Sequence, residues 1–351
     1  MSQLWCDPIG DIPLDIRNQY APILLFHQPQ AMNANTLGEG KHKFHSNVSL
    51  TNDTLSSANY KYSRDYYLIR WFAYRLVERS SRTPLENIIY ADYARYGHLE
   101  PFQQTTIDME YTNLQVGWDY GLKENLDIGV RLNFFSFDHG ILDHTINDYH
   151  AVIGVKTGKE RFPNDNFKYR VTDNRKVIVN SKPRSNLGDS VVFLKWQPEQ
   201  GDTTNFSYSF FSQAKIPTGN RSLGMGSGRL DMSLGGTLQK RSGSWLQFAN
   251  LGFIYVDDPF HNSTIKARNY AFFSYSLLYN WSKSIGTSLQ VDSYSSPYRS
   301  HTILLSQPSA VFSLGLNWTI SETSLLQIGF SEDISYPVPD ISFFCNWKAS
   351  L

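Results

Sequence analysis

The sequence holds only two cysteines in 351 residues, Cys6 and Cys345. That excludes a disulfide framework and a cysteine metal site. It carries no net charge, with 32 Lys and Arg against 32 Asp and Glu, so nothing electrostatic argues for a nucleic-acid partner. Charged residues make up 18%, below the roughly 25% of soluble domains. No apolar run approaches the roughly 18 residues that a membrane-spanning helix needs. The opening "MSQLWCDPIGDIPL" has no basic region followed by an apolar core. It does not read as a secretory signal, and export would require one that is not in this sequence. Trp5 ahead of Cys6 makes a poor lipoprotein-processing box. Catalytic motifs are equally scarce. There is no G-x-S-x-G elbow and no phosphate-binding glycine loop after a strand. "GNRSLGMGSGRLD" (219–231) is glycine-rich, but it joins two expected antiparallel strands and reads as an external loop. No cofactor and no metal is expected.

What the sequence has is aromatic residues, 15% of the chain, and strict alternation. In "NLDIGVRLNF" (125–134), Leu126, Ile128, Val130, Leu132 and Phe134 take one face. Asp127, Gly129, Arg131 and Asn133 take the other. Period two is the strand signal. It recurs over 42–51, 106–121, 125–137, 188–198, 204–216, 229–240, 244–256, 269–282, 286–296, 309–320, 323–334 and 340–351, about twelve strands. Near Thr112 and Asn113 the second strand changes phase, which predicts a bulge. The segment "SWLQFANLGFIYV" is apolar on both faces.

The connections between these strands alternate in length. Short turns at 122–124, 199–203, 241–243, 284–285 and 321–322 alternate with long or medium loops, the longest being 52–105 and 138–187. An outer-membrane barrel sorts its loops this way, with short periplasmic turns and longer external loops. The competing reading is a soluble sandwich or lipocalin-like barrel. Its exterior would carry more Lys and Glu than these Ser, Gly, Asn and Gln faces do. Trp196, Trp281, Trp318 and Trp347 fall near strand ends, the position of an interfacial aromatic belt. The terminal "DISFFCNWKASL" alternates to the last residue, as a closing strand paired with 42–51 would.

The expected fold is therefore all-β, a transmembrane antiparallel up-and-down barrel of about twelve strands. Residues 1–41 form an N-terminal periplasmic or lumenal segment, and 42–351 form the barrel. Were "DYYLIRWFAYRLVERSS" (65–81) and "NIIYADYARY" (87–96) both membrane strands, there would be fourteen; the first reads equally as an amphipathic helix. A short helix is expected over 143–153, capping or plugging the lumen. The same region carries Asp138, His139, Asp143, His144, Asp148, Tyr149, His150 and, downstream, Arg161. His139 with Asp143, and His144 with Asp148, have the i,i+4 spacing of two ligands on one helical face. The plainer reading is a polar plug bonded to the barrel wall. Strand parity nominates Glu110, Asp127, Arg131, Asp189, Lys195, Lys215, Arg229, Asp231, Asp292 and Lys348 as lumen-facing. Both signs occur, so no strong ion selectivity is expected.

Several stretches resemble a domain-of-unknown-function family of bacterial outer-membrane β-barrels. They are Glu110, Tyr120–Gly121–Leu122, and the segment Gly140, Leu142, Asp143, Ile146, Tyr149, His150 with downstream Arg161. "IRNQYAP" (16–22) is similar to an N-terminal stretch of that family, and "SNLGDSVVFLKW" (185–196) to one of its strands. "KIPTGN" (215–220) with "GSGRLD" (226–231) is similar to a run in several barrel families, some of them thought to admit hydrophobic or aromatic compounds. The sequence departs from the family in the insertion 52–105 and in "GVK" at 154–156. The resemblance implies an integral outer-membrane protein and is silent on chemistry. The expected function is a pore or specific channel for small solutes, hydrophobic ones among them, gated by 138–165. The rivals are an outer-membrane lipid-modifying hydrolase using the histidine cluster, and a surface interaction protein using 52–105. Expected partners are outer-membrane lipid, the barrel-assembly machinery and an unidentified small solute.

Overall fold

A computed structural model of the chain describes residues 9–56, 103–143, 148, 165–173, 176–198, 206–300, 302–335, 338–339 and 341–351. Twelve antiparallel strands close on themselves. They are β1 His42–Ser56, β2 Gln103–Lys123, β3 Leu126–Asp138, β4 Ser190–Trp196, β5 Phe206–Ile216 and β6 Asp231–Ser242. The second half is β7 Trp245–Val256, β8 Tyr270–Asn280, β9 Ile285–Tyr294, β10 Ser309–Ser321, β11 Ser324–Asp333 and β12 Ile341–Ser350. The terminal strand is the closing seam: β12 pairs with β1 from Lys43 opposite Ser350 to Asn52 opposite Ile341. No unpaired edge is left in the ring.

The alternation turns one face of every strand outward. On β5, Ser207, Ser209, Gln213 and Lys215 are buried inside, while Phe206, Phe210 and Ile216 are exposed outside. Aromatic rings gather at the short-turn end. Trp118 stacks with Tyr120, Trp196 with Phe210, and Trp245 lies 4.5 Å from Tyr279, which in turn meets Trp281 edge-on. This is the girdle an outer-membrane barrel places at one interface.

Several expectations are corrected. β1 pairs directly with β2, from His42 opposite Tyr120 to Ser56 opposite Thr106. The insertion between them therefore adds no strand to the ring: the expected twelve strands stand, and the alternative of fourteen falls away. The segments 65–81 and 87–96 lie outside the described residues. The bulge at Thr112–Asn113 is absent: β2 keeps register with both neighbours there. The expected strand 188–198 forms as β4, but a further short strand, Arg184–Leu187, precedes it across a break at Gly188–Asp189. Arg184–Leu187 pairs with upper β3, and β4 with lower β3. At the break the Gly188 amide donates to the Asn133 carbonyl (2.8 Å), and Asn133 Nδ2 donates to the Asp189 carbonyl (2.6 Å). A Cβ on Gly188 would sit 2.4 Å from the Phe135 ring. Finally, the long 138–187 connection contains a hairpin, Lys168–Asp173 and Lys176–Asn180, laid on the top of β2.

The two-faced β7 has a simple explanation. Leu246, Phe248 and Ile254 point inward and are fully buried. The lumen is not open water, because residues 9–37 occupy it.

Candidate functional site: a plugged lumen

The N-terminal segment is a hairpin that rises through the barrel and returns. It contains a single short 3₁₀ turn, Ile23–Leu25, and pairs with no strand. Its backbone groups must find partners all the same, and they find wall side chains. On the rising leg the Asp11 side-chain carboxylate also accepts from Asn280 Nδ2 (2.9 Å) and from Arg241. The Leu14 amide donates to Gln290 Oε1 (3.0 Å), and the Ala21 amide to Asp53 Oδ2 (3.0 Å). On the returning leg, the amides of His27, Met32, Ala34, Thr36 and Leu37 donate to Asp231, Asn250, Gln239, Gln197 and Asp127, each within 2.9–3.1 Å. Four tyrosine hydroxyls donate to carbonyls of the hairpin: Tyr111 to Gln19, Tyr270 to His27, Tyr294 to Pro29 (3.1 Å) and Tyr298 to Pro22 (2.5 Å). The small polar inner faces that look odd in the sequence are thus the hydrogen-bonding complement of this hairpin.

The lumen has two zones. Toward the long-loop end the hairpin tip is apolar. Ile23, Leu24, Leu25 and Phe26 are buried in one cluster with Ile107, Tyr169, Phe260, Ile265 and Tyr298. Phe26 meets Tyr298 edge-on at 5.0 Å. Just below, Lys215 Nζ is held by Asp189 (2.8 Å), Asp231 (2.9 Å), Ser227 Oγ (2.6 Å) and the Leu25 carbonyl of the hairpin (2.8 Å). Asp189 also accepts from the amides of Gly219 (2.9 Å) and Ser227 (3.1 Å). One buried ammonium therefore joins the wall, the 217–230 loop and the plug.

Toward the short-turn end the lumen carries ions beside small apolar clusters, Ile9 and Ile12 with Leu325 and Leu246 and Phe248 with Leu278. Asp15 of the hairpin pairs with Lys348 (3.0 Å) and faces His45 Nδ1 (3.5 Å). Asp119 pairs with Arg131 (2.5 Å) and Lys43 (3.5 Å), and Asp127 pairs with Lys195 (3.2 Å). A cavity of about 60 Å³ remains between the two legs of the hairpin and this wall.

Of the expected lumen-facing residues, Asp127, Arg131, Asp189, Lys195, Lys215, Asp231, Asp292 and Lys348 lie inside the barrel, buried or nearly so. Arg229 does not. β6 begins only at Asp231, and Arg229 stands in the preceding loop beside Asp257 (3.5 Å) and His261. Glu110 is also misplaced by parity. Tyr111 and Asn113 point inward, and with no bulge between them and Glu110, its side chain goes to the opposite face. There it is buried under the turn that follows β3. It accepts from the amides of Ile141 and Leu142 (both 2.7 Å) and from Asn52 Nδ2 (3.0 Å). Gly140 allows this contact. Its φ is +90°, and a Cβ there would lie 2.1 Å from the Glu110 carboxyl carbon.

The segment expected to plug the lumen therefore begins by folding over the outer side of the wall. Asp138 and His139 are exposed, and so is Asp148. Asp143 is buried, accepting from Asn52 Nδ2 (3.1 Å) and the Asp165 amide (2.8 Å). His144, Tyr149, His150, Arg161 and most of the expected 143–153 helix lie outside the described residues. Among the described residues, no three His, Cys, Asp or Glu side chains gather to hold a metal. Sequence reasoning missed Asp15, Arg17, His27 and Gln28 in the hairpin, since that stretch has no period. It also missed the 168–180 hairpin, although "VTDNRKVIV" carries β-branched residues on either side of the turn-forming residue types Asp and Asn.

That outer hairpin is fastened by Asp173. Burial by itself would raise its carboxyl, but hydrogen bonds from Ser263 Oγ (2.6 Å), Thr264 Oγ1 (2.5 Å) and the Thr264 and Ile265 amides hold it below the ordinary 3.8. A lowered pKa stabilises the tie above pH 3.8, and the stabilisation is lost as pH falls through the folded value. Hydrogen exchange at the Thr264 amide is expected to stay protected from pH 8 down to about 5 and to lose protection only below about 4. Asp173→Asn should expose it at every pH.

Among solved structures, the fold is similar to that of an outer membrane channel from Pseudomonas putida F1, at 11% identity and a TM-score of 0.53 over 93% of this chain and 100% of that one. The Pseudomonas putida toluene transporter TodX matches at 7% identity and 0.38, over 96% and 98%. The outer membrane phospholipase A from Escherichia coli matches at 10% and 0.34, over 97% of each. The last two likenesses decide nothing about chemistry. No functionally curated protein matches the chain. The model of a family described as a protein of unknown function, DUF3187, matches residues 100–347.

Proposed function

The chain belongs to the DUF3187 family, and on that premise we propose that this member is an outer-membrane channel for small solutes whose gate is its own N-terminal hairpin, residues 9–37. One observation carries the reading: the wall holds the hairpin through side chains and never through strand pairing. The hairpin can therefore leave or shift without a strand of the barrel opening. A filler meant only to stabilise the barrel gains more from apolar packing along its whole length. Here the lower half of the lumen sets ions and amides beside only small apolar clusters, Ile9 and Ile12 on Leu325 and Leu14 and Ile16 on Phe344. The gate proposed from the sequence, 138–165, is replaced in this reading by the hairpin. The outward apolar face is taken as the contact with outer-membrane lipid, and β12 as the strand that barrel-assembly machinery recognises.

Single-channel recording of the full chain in planar bilayers tests the reading. The expected trace is long closed intervals with brief ohmic openings, and a chain without residues 9–37 is expected to stay open. If neither conducts under any voltage while both retain the folded, heat-modifiable barrel, the channel reading is wrong.

A further inference from the structure

The cavity between the legs of the hairpin carries a charge imbalance. Asp15 answers Lys348, and Asp127 answers Lys195. Asp119 alone answers both Arg131 and Lys43, which leaves one positive charge over. Arg17, on the rising leg, has no carboxylate within ion-pair distance among the described residues. Its one hydrogen bond goes from Nη2 to Asn133 Oδ1 (3.3 Å), and Nε has no partner. Yet Arg17 is only 7% exposed. A buried guanidinium without an ion-pair partner is costly, and two surplus cations around one cavity are costlier.

The other walls of the cavity are polar and incomplete in the same way. Gln28, 4% exposed, has neither its amide oxygen nor its amide nitrogen bonded. His27, 2% exposed, uses Nε2 on Ser233 and leaves Nδ1 without a partner. Arg17, His27 and Gln28 all line the cavity, as do Lys43, Arg131 and Lys348. Three buried side chains with unbonded polar atoms thus line a space surrounded by excess positive charge. The volume of about 60 Å³ suits about four waters or one small planar oxyanion. A guanidinium edge matches a carboxylate in a two-point fork.

We propose that this cavity is a binding site for a small oxyanion of the size of formate or acetate, held by Arg17 and Gln28 within the positive surplus of Lys43, Arg131 and Lys348. The binding stands on the cavity alone. That the anion is solute in transit, which makes the channel anion-preferring, rests on the channel reading above. Asp15 and Asp119 keep the surplus small, so the bound anion is held loosely enough to leave.

Thermal unfolding of the full chain in detergent tests the site. Sodium formate and sodium acetate are titrated against sodium gluconate, a carboxylate too large for the cavity, at matched ionic strength. Formate and acetate are expected to raise the midpoint along a saturating curve by about 3–5 °C at high excess, and gluconate not to. Arg17→Gln should abolish the difference between salts. Gln28→Leu, which keeps all charges, should weaken it and serves if Arg17→Gln does not fold. Equal effects of all three salts on the wild-type chain overturn the proposal, as does an undiminished formate effect in both variants. Formate binding by a chain that never conducts, with or without residues 9–37, would leave the site standing and sink only the channel reading.

Discussion

Replacing Lys215 by methionine is expected to open the lumen. Its ammonium is almost fully enclosed and balances two carboxylates, Asp189 and Asp231, while also donating to the Leu25 carbonyl of the hairpin. Methionine keeps much of the length and volume but leaves two buried carboxylates facing each other with no cation. Breaking a buried ion pair from one side costs about 3–5 kcal/mol. The cost falls where the hairpin docks, because Asp231 also accepts from the His27 amide (2.9 Å). If the hairpin absorbs it, the ratio of docked to undocked states shifts by about two to three and a half orders of magnitude. Open probability in single-channel records should rise accordingly, and added protease should cut the N-terminal segment sooner. Asp231→Asn leaves Lys215 paired with Asp189 and should open the lumen much less. A Lys215→Met barrel that folds normally and keeps both the wild-type open probability and the wild-type cleavage rate would show that this lysine does not hold the hairpin.

The second large effect is expected at Glu110, and it should not involve conduction. Glu110→Ala removes the acceptor of the Ile141 and Leu142 amides and of Asn52 Nδ2. Stranding a buried donor costs about 1–3 kcal/mol. The two amides lose their partner here and Asn52 Nδ2 keeps only Asp143, although the turn can relax and let an amide reach water. A loss of about 3 kcal/mol is therefore the expected scale, read as a lower unfolding midpoint and as proteolysis between His139 and Asp143. Single-channel conductance should be unchanged, because the carboxylate is on the outer side of the wall. A conductance change without loosening of the 139–143 turn would put Glu110 back in the lumen.

These two residues mark the limit of reading by strand parity. Lys215 sits in a clean alternation, from Phe206 to Ile216, and its inward face follows directly. Glu110 sits in a stretch, Ile107–Tyr111, where every residue is buried. Upper β2 is covered on both sides, by the hairpin tip and the 168–180 strands within and around the mouth, and by the 140–143 turn outside. Alternation of exposure vanishes there, and only the register with β1 and β3 tells which face is which. The same loss of contrast explains β7, whose inner apolar residues pack in an interior that the hairpin has filled.

Period-two patterning is a property of neighbouring residues, so the sequence by itself determined the strands, the sorting of short turns and long loops, the closing role of β12 and most of the inward-facing ions. The hairpin over 9–37 was beyond its reach. Those residues have no period, and their backbone bonds end on side chains far away in sequence, such as Gln290 for Leu14 and Gln239 for Ala34. Only the closed barrel brings these groups together. The tertiary structure therefore decided what fills the lumen, which charges there are balanced, and that Arg17 is left without a counter-ion, because charge balance in a buried space depends on every strand that surrounds it.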